Sequence, residues 1–177
     1  MIAAIWNKQP DMVPVAPDMS NMIPCKLTGK PFWDIYLYQD PPLWKAYINA
    51  VKFFGFDGWL PLYDTIISQE DLDGNVYIVE ENDERIVTRK AEKANGKKLW
   101  HSFVTVYPRG NPPTCLKAQK IGMGNEPEWY RPIEDIPRRA AVNDVYNEIK
   151  KEIGDHGVVG INVGIPGLGS ETAIYVL

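Results

Sequence analysis

The apolar positions of this chain follow two periods. In YQDPPLWKAYINAVKFFG the residues Leu43, Ala46, Tyr47, Ala50, Val51 and Phe54 fall at i, i+3, i+4, i+7, i+8 and i+11, the stripe of an amphipathic helix. Asp40 stands where the N-cap belongs, Pro41 at the first helical position and Gly55 at the left-handed C-terminal cap. A second stripe, Val142, Val145, Tyr146, Ile149 and Ile153 with charges opposite, predicts another helix that stops at Gly154. Each helix runs into a short apolar stretch, FDGWLPLY after the first and VVGINVGI after the second. Such unbroken runs suit strands buried on both faces, as parallel strands usually are.

Between them the period changes to two. NVYIVE, RIVTRK and KLWHSFVTVY read as strands, and Asn95-Gly96 is a hairpin-turn signal. The expectation is an antiparallel β-meander over about 75–107. QPDMVPVAPDMSN reads as a short strand running into a loop, confined by Pro14 and Pro17 to an edge or a bulge. From Asn111 to Pro137 proline, glycine and tryptophan accumulate without a period, which predicts a long excursion over a rim.

The plan is therefore strand, helix, strand, β-rich insertion, helix, strand. Helix-linked apolar strands imply a parallel α/β sheet by the crossover rule. A closed eight-stranded α/β barrel takes roughly 250 residues, and this chain of 177 supplies about three strand-helix units. It begins in what reads as the end of a helix, MIAAIWN, and stops on the apolar TAIYVL. The fold class expected is thus α/β, a partial (β/α)8 TIM barrel with an inserted antiparallel β-meander, cut at both ends.

Composition narrows the function. Apolar residues make up 45% and charged residues 24%, as in ordinary globular proteins. The net charge of −4 comes with no lysine- or arginine-rich block, so nucleic acid is not an expected partner. No apolar run nears the ~20 residues of a membrane span, and the N-terminus lacks the features of a secretory signal. A cytoplasmic protein is expected, with Cys25 and Cys115 as reduced thiols.

Asp57 and Asp64 bracket the first apolar stretch. Seven extended residues at ~3.3 Å each put them roughly 23 Å apart, too far for a glycosidase pair, which needs about 5–10 Å. The order PDMVPVAPD, DPPLWKAYINAVKFFGFDGW, an inserted hairpin region, PIEDI and GVVGINVGIPG resembles the N-terminal half of the uroporphyrinogen decarboxylase superfamily, which also contains corrinoid-dependent methyltransferases. The resemblance spans most of the chain, making residues 1–177 the N-terminal part of one barrel domain. It implies an active site at the C-terminal ends of the strands. Family decarboxylases carry a central aspartate seven residues beyond an earlier one, and Asp57 and Asp64 match that spacing. The resemblance thus gives Asp64 a catalytic place at the rim and Asp57 a supporting place at the bottom; a polar turn or cap is the plain alternative for Asp64.

The pattern departs from the decarboxylases in one respect. Their N-terminal loop holds an eight-carboxylate substrate with arginines, whose forks bind carboxylates bidentately. Here the first arginine is Arg85, and the loop APDMSNMIPCKLTGKPFWD offers Lys26 and Lys30. That favours a methyltransferase-type member, acting on a methylated small molecule or a corrinoid protein, over a true tetrapyrrole decarboxylase. Methyltransferases of this kind use zinc held by His and Cys. Cys25, His101, Cys115 and His156 lack H-x-C or C-x-x-C spacing, so no metal is expected within this chain; zinc and corrinoid are left to a full-length protein, and this chain alone is expected to be inactive.

Substrate-binding candidates on the rim are Asp18 and Asn21 in the first loop, Trp33 beside Tyr36 and Tyr38, and Asn162 inside GINVGI. A buried asparagine needs partners; it faces a pocket or satisfies neighbouring backbone, and both readings stand. GIPGLG lacks the register of a phosphate or dinucleotide loop. The competing class is a non-catalytic binding or assembly module, self-associating through exposed sheet edges.

Overall fold

The computed structural model describes residues 2–17, 19–59, 75–94, 96–133, 142–164 and 172–176. The chain divides into two compact units, residues 1–28, 43–67 and 140–177 in the first and 29–42 and 68–139 in the second.

The first unit contains α1 (Ile2–Ile5), α2 (Met22–Leu27), α4 (Leu43–Phe54) and α5 (Val142–Ile153), with strands β1 (Gly58–Trp59), β7 (Val158–Gly164) and β8 (Thr172–Val176). Helix α4 buries Leu43, Ala46, Tyr47, Ile48, Ala50 and Val51 and packs on α2 and α5. Phe54, expected on the buried stripe, is 46% exposed in the last turn. Helix α5 buries Val145, Ile149 and Ile153 at spacings of four. Both helices stop at glycines with positive φ, +69° at Gly55 and +51° at Gly154, where any other residue would strain. β1 and β7 pair in parallel, Gly58 with Val158 and Trp59 with Val159. β8 then lies antiparallel on the far side of β7.

The second unit is built on an open five-stranded antiparallel sheet of order β5-β4-β3-β2-β6, with β2 at Val76–Glu81, β3 at Arg85–Ala94, β4 at Lys97–Pro108, β5 at Thr114–Lys117 and β6 at Arg131–Pro132. On one face Val79, Val87, Val104, Val106 and Ala118 form a core extended by Trp100, Leu116, Ile121 and Met123. On the other, Ile78 and Ile86 meet Leu37, which follows the short helix α3 (Phe32–Tyr36), together with Trp33, Tyr38, Tyr107 and Ile133. Alternation along β3 explains the division, since neighbours Ile86 and Val87 face opposite sides.

This architecture contradicts the expected partial (β/α)8 barrel. The largest sheet is antiparallel and open, because β2–β3 and β3–β4 are joined by connections too short for anything but a hairpin. The parallel ladder among the described residues is one strand pair of two matched positions, and an antiparallel strand borders it. The proline-rich segment before Asp18 forms no strand; Val13 is 83% exposed there. Prolines remove the donors a ladder needs. Nor is the 111–133 excursion outside the sheet, since β5 and β6 close its two edges. No helix among the described residues is long and apolar enough to cross a membrane.

Candidate functional site

In the sequence expectation the residues of a barrel rim are grouped around the parallel pair of β1 and β7, although the described residues form no barrel. The lower end of that pair is tightly made: the Asp57 carboxylate accepts the Val15 N–H at 2.8 Å, and the Asp57 N–H donates to the Val15 carbonyl at 2.8 Å. Those two bonds tie the proline-rich segment to the start of β1. Gly157 approaches so closely that a Cβ there would lie 2.8 Å from the Asp57 carbonyl carbon and oxygen. Asp57 is therefore a supporting residue where β1 begins. β1 and β7 run the same way, so their C-terminal ends lie together.

Of the residues expected on that rim, Asp64 and Asp18 lie outside the described residues. Asn21 precedes α2 without capping it. Its side-chain oxygen lies 2.6 Å from the hydroxyl of buried Tyr47, which is also 2.7 Å from the Met19 carbonyl. Asn21 thus anchors the first loop to α4, a contact across 26 positions. Asn162 sits in β7 opposite Ile174 of β8, in the same unit as Asn21. Trp33 belongs to the second unit, where it packs on the Leu37 cluster and the Arg109 guanidinium stands 5.9 Å from its ring. It is a packing residue there.

Arginine placement is the informative electrostatic feature. Arg85 grips both Glu80 oxygens, Nε at 2.6 Å and Nη2 at 3.0 Å. Arg131 grips Glu81 Oε2 at 3.1 and 2.7 Å. Each hydrogen bond holds its guanidinium above the ordinary arginine range. Arg109 donates to the Asp83 carbonyl at 3.2 Å. Arg89 is 3% exposed and donates to the carbonyls of His101 at 2.6 Å and Gly124 at 2.9 Å; burial pushes it below the ordinary range. All four sit in the second unit with intramolecular partners.

Asp34, in the first turn of α3, has its carboxyl pushed up by burial; Lys30 opposes the shift and Asp40 adds to it. A raised acid in the folded state binds its proton more tightly, so ionising it costs stability, and that cost fades as pH falls through the raised value. Asp34→Asn should therefore be at least as stable as the parent at pH 7, with the advantage shrinking under acid; urea midpoints across that range measure it.

The described residues do not fit a zinc site. His101 and Cys115 line one shallow recess of about 210 Å³ on the sheet, but His101 contacts Glu92 at 3.0 Å and Cys25 belongs to the other unit. Among the described residues no three His, Cys, Asp or Glu side chains converge to hold a metal ion. No protein-family model, no curated protein and no solved structure matches this chain.

Proposed function

We propose that this chain functions within a uroporphyrinogen decarboxylase-like protein of the methyltransferase type, one that takes up a methylated small molecule whose methyl group passes to a corrinoid protein. The carrying observation is that every guanidinium among the described residues is already held within the second unit by glutamates, backbone carbonyls or an aromatic face. A tetrapyrrole with eight carboxylates needs unpaired forks to bind, whereas a neutral or cationic methylated compound needs none.

In this reading Asp64 supplies the acid. A methyl group leaving nitrogen, oxygen or sulfur hands its bonding electrons to that heteroatom, and a nearby carboxylic acid protonates it as it departs. General acid catalysis contributes roughly 10²–10⁴-fold. The test, made on the complete protein, follows methylcobalamin formation by absorbance as cob(I)alamin meets a panel of methylated amines, thioethers and methyl ethers. One donor class should be turned over, and Asp64→Asn should slow it by at least about 10²-fold. Turnover unaltered by Asp64→Asn removes Asp64 from the chemistry, and absence of turnover with every donor overturns the reading.

A further inference from the structure

Strand β4 carries Lys98 and Trp100 on one face, two positions apart. Opposite Trp100 on β3 stands Ala91, small and 1% exposed, and over it Trp100 reaches Tyr77 of β2, ring centroids 5.4 Å apart. β6 pairs with β2 at Tyr77 and Pro132, which brings in Tyr130. Its ring stands 5.6 Å from Tyr77 and 5.1 Å from Trp100. All three contacts are edge-to-face, with planes at 61° to 80°. The two tyrosine rings therefore open as a steep notch with the indole beside it.

The notch holds a cation. Lys98 Nζ is 4.0 Å from the Tyr77 centroid, 3.9 Å from Tyr130 and 6.0 Å from Trp100. The negative faces of aromatic rings attract a cation within about 6 Å. Among the described residues no carboxylate pairs with Lys98, and its directly opposed cross-strand neighbour is another cation, Lys93. Among the described residues the rings alone hold the ammonium.

We infer that Tyr77, Trp100 and Tyr130 form an aromatic cage for a quaternary or methylated ammonium ligand, and that Lys98 is its built-in competitor. A lysine ammonium is strongly hydrated, whereas a methylated one sheds little water and presents polarised methyl groups to the rings. The ligand enters as Lys98 swings out past Tyr130, 44% exposed at the rim, while Tyr77, 8% exposed, stays fixed. This site stands independently of the methyl-transfer reading, and its test involves no turnover.

The test is calorimetric titration with choline and with its uncharged analogue, in which a tert-butyl group replaces trimethylammonium. The intact chain should bind choline weakly, because a ligand competing with a resident group sees only the vacant fraction of sites. Lys98→Ala should bind it about tenfold tighter, with Lys98→Gln serving should the alanine variant not fold. Tyr130→Ala should lose binding. The inference is overturned if emptying the notch leaves choline affinity unchanged, if the uncharged analogue binds as tightly as choline, or if binding survives Tyr130→Ala.

Discussion

Replacing Gly157 with alanine should destabilise the first unit by about 2–3 kcal/mol, the upper part of the range for overpacked sites. The new Cβ would lie 2.8 Å from the Asp57 carbonyl carbon and oxygen and 3.0 Å from the Gly58 nitrogen. All three are backbone atoms, so no side chain can turn aside. Relief requires parting β7 from β1 at the register pair Gly58–Val158, which also strains the paired bonds between Asp57 and Val15. For a chain of this length each kcal/mol lowers Tm by roughly 2–4 °C, so a fall of about 4–12 °C is expected. Removing the Asp57 carboxylate by Asp57→Ala should cost less, about 1–2 kcal/mol, since one charge-assisted bond at an exposed position is lost. A Gly157→Ala protein as stable as the parent would contradict the close approach of the two strands.

Arg89→Met is the second large effect, expected to cost about 2–3 kcal/mol. The β3–β4 ladder shifts register between Arg89 and Ala91, and a bulge leaves backbone groups without a cross-strand partner. Arg89 Nε meets the His101 carbonyl there, and Nη1 reaches across 35 positions to the Gly124 carbonyl. One side chain therefore joins the sheet to the turn after Ala118–Ile121. Methionine fills comparable space but leaves both acceptors without that donor; a fully buried one would cost roughly 1–3 kcal/mol, and these are only part-buried. Relief of the buried guanidinium's desolvation, seen in its lowered pKa, offsets part of the sum. Arg89→Lys should recover less than half, since a single ammonium lacks the fork that spans two carbonyls. Urea midpoints for the three proteins should rank parent, lysine, methionine; methionine equal to the parent would dismiss the role.

The parts legible in the sequence were those with long periods. Helices α4 and α5 each run twelve residues, long enough for a 3.6-residue stripe to show, and both stop at the expected glycines. The hairpin between β3 and β4, signalled by the Asn95-Gly96 pair, was equally plain, and Ala94 pairs with Lys97. Helices α2 and α3, of six and five residues, and strands β5 and β6, of four and two, are too short to carry a period. Their positions come from packing, α2 against α4 and α3 against β4, or from completing a sheet edge. The barrel inference extended one parallel pair into a closed ring, although the block after residue 75 carries hairpins through β4 and builds the larger sheet. Of the site, the bond between Asn21 and Tyr47 joins residues distant in the chain, and nothing local to either predicts it. The Tyr77, Trp100 and Tyr130 cluster had a faint signal in the alternation of KKLW, but Tyr130 reaches it through β6.

Equilibrium titration with uroporphyrin under exclusion of light tells a site for a methylated substrate from one for a polycarboxylate. With the guanidinium groups of Arg85, Arg89, Arg109 and Arg131 engaged internally, the chain should show no saturable binding at micromolar porphyrin in physiological salt. Saturable micromolar binding that is lost on substituting any arginine by lysine would contradict the account.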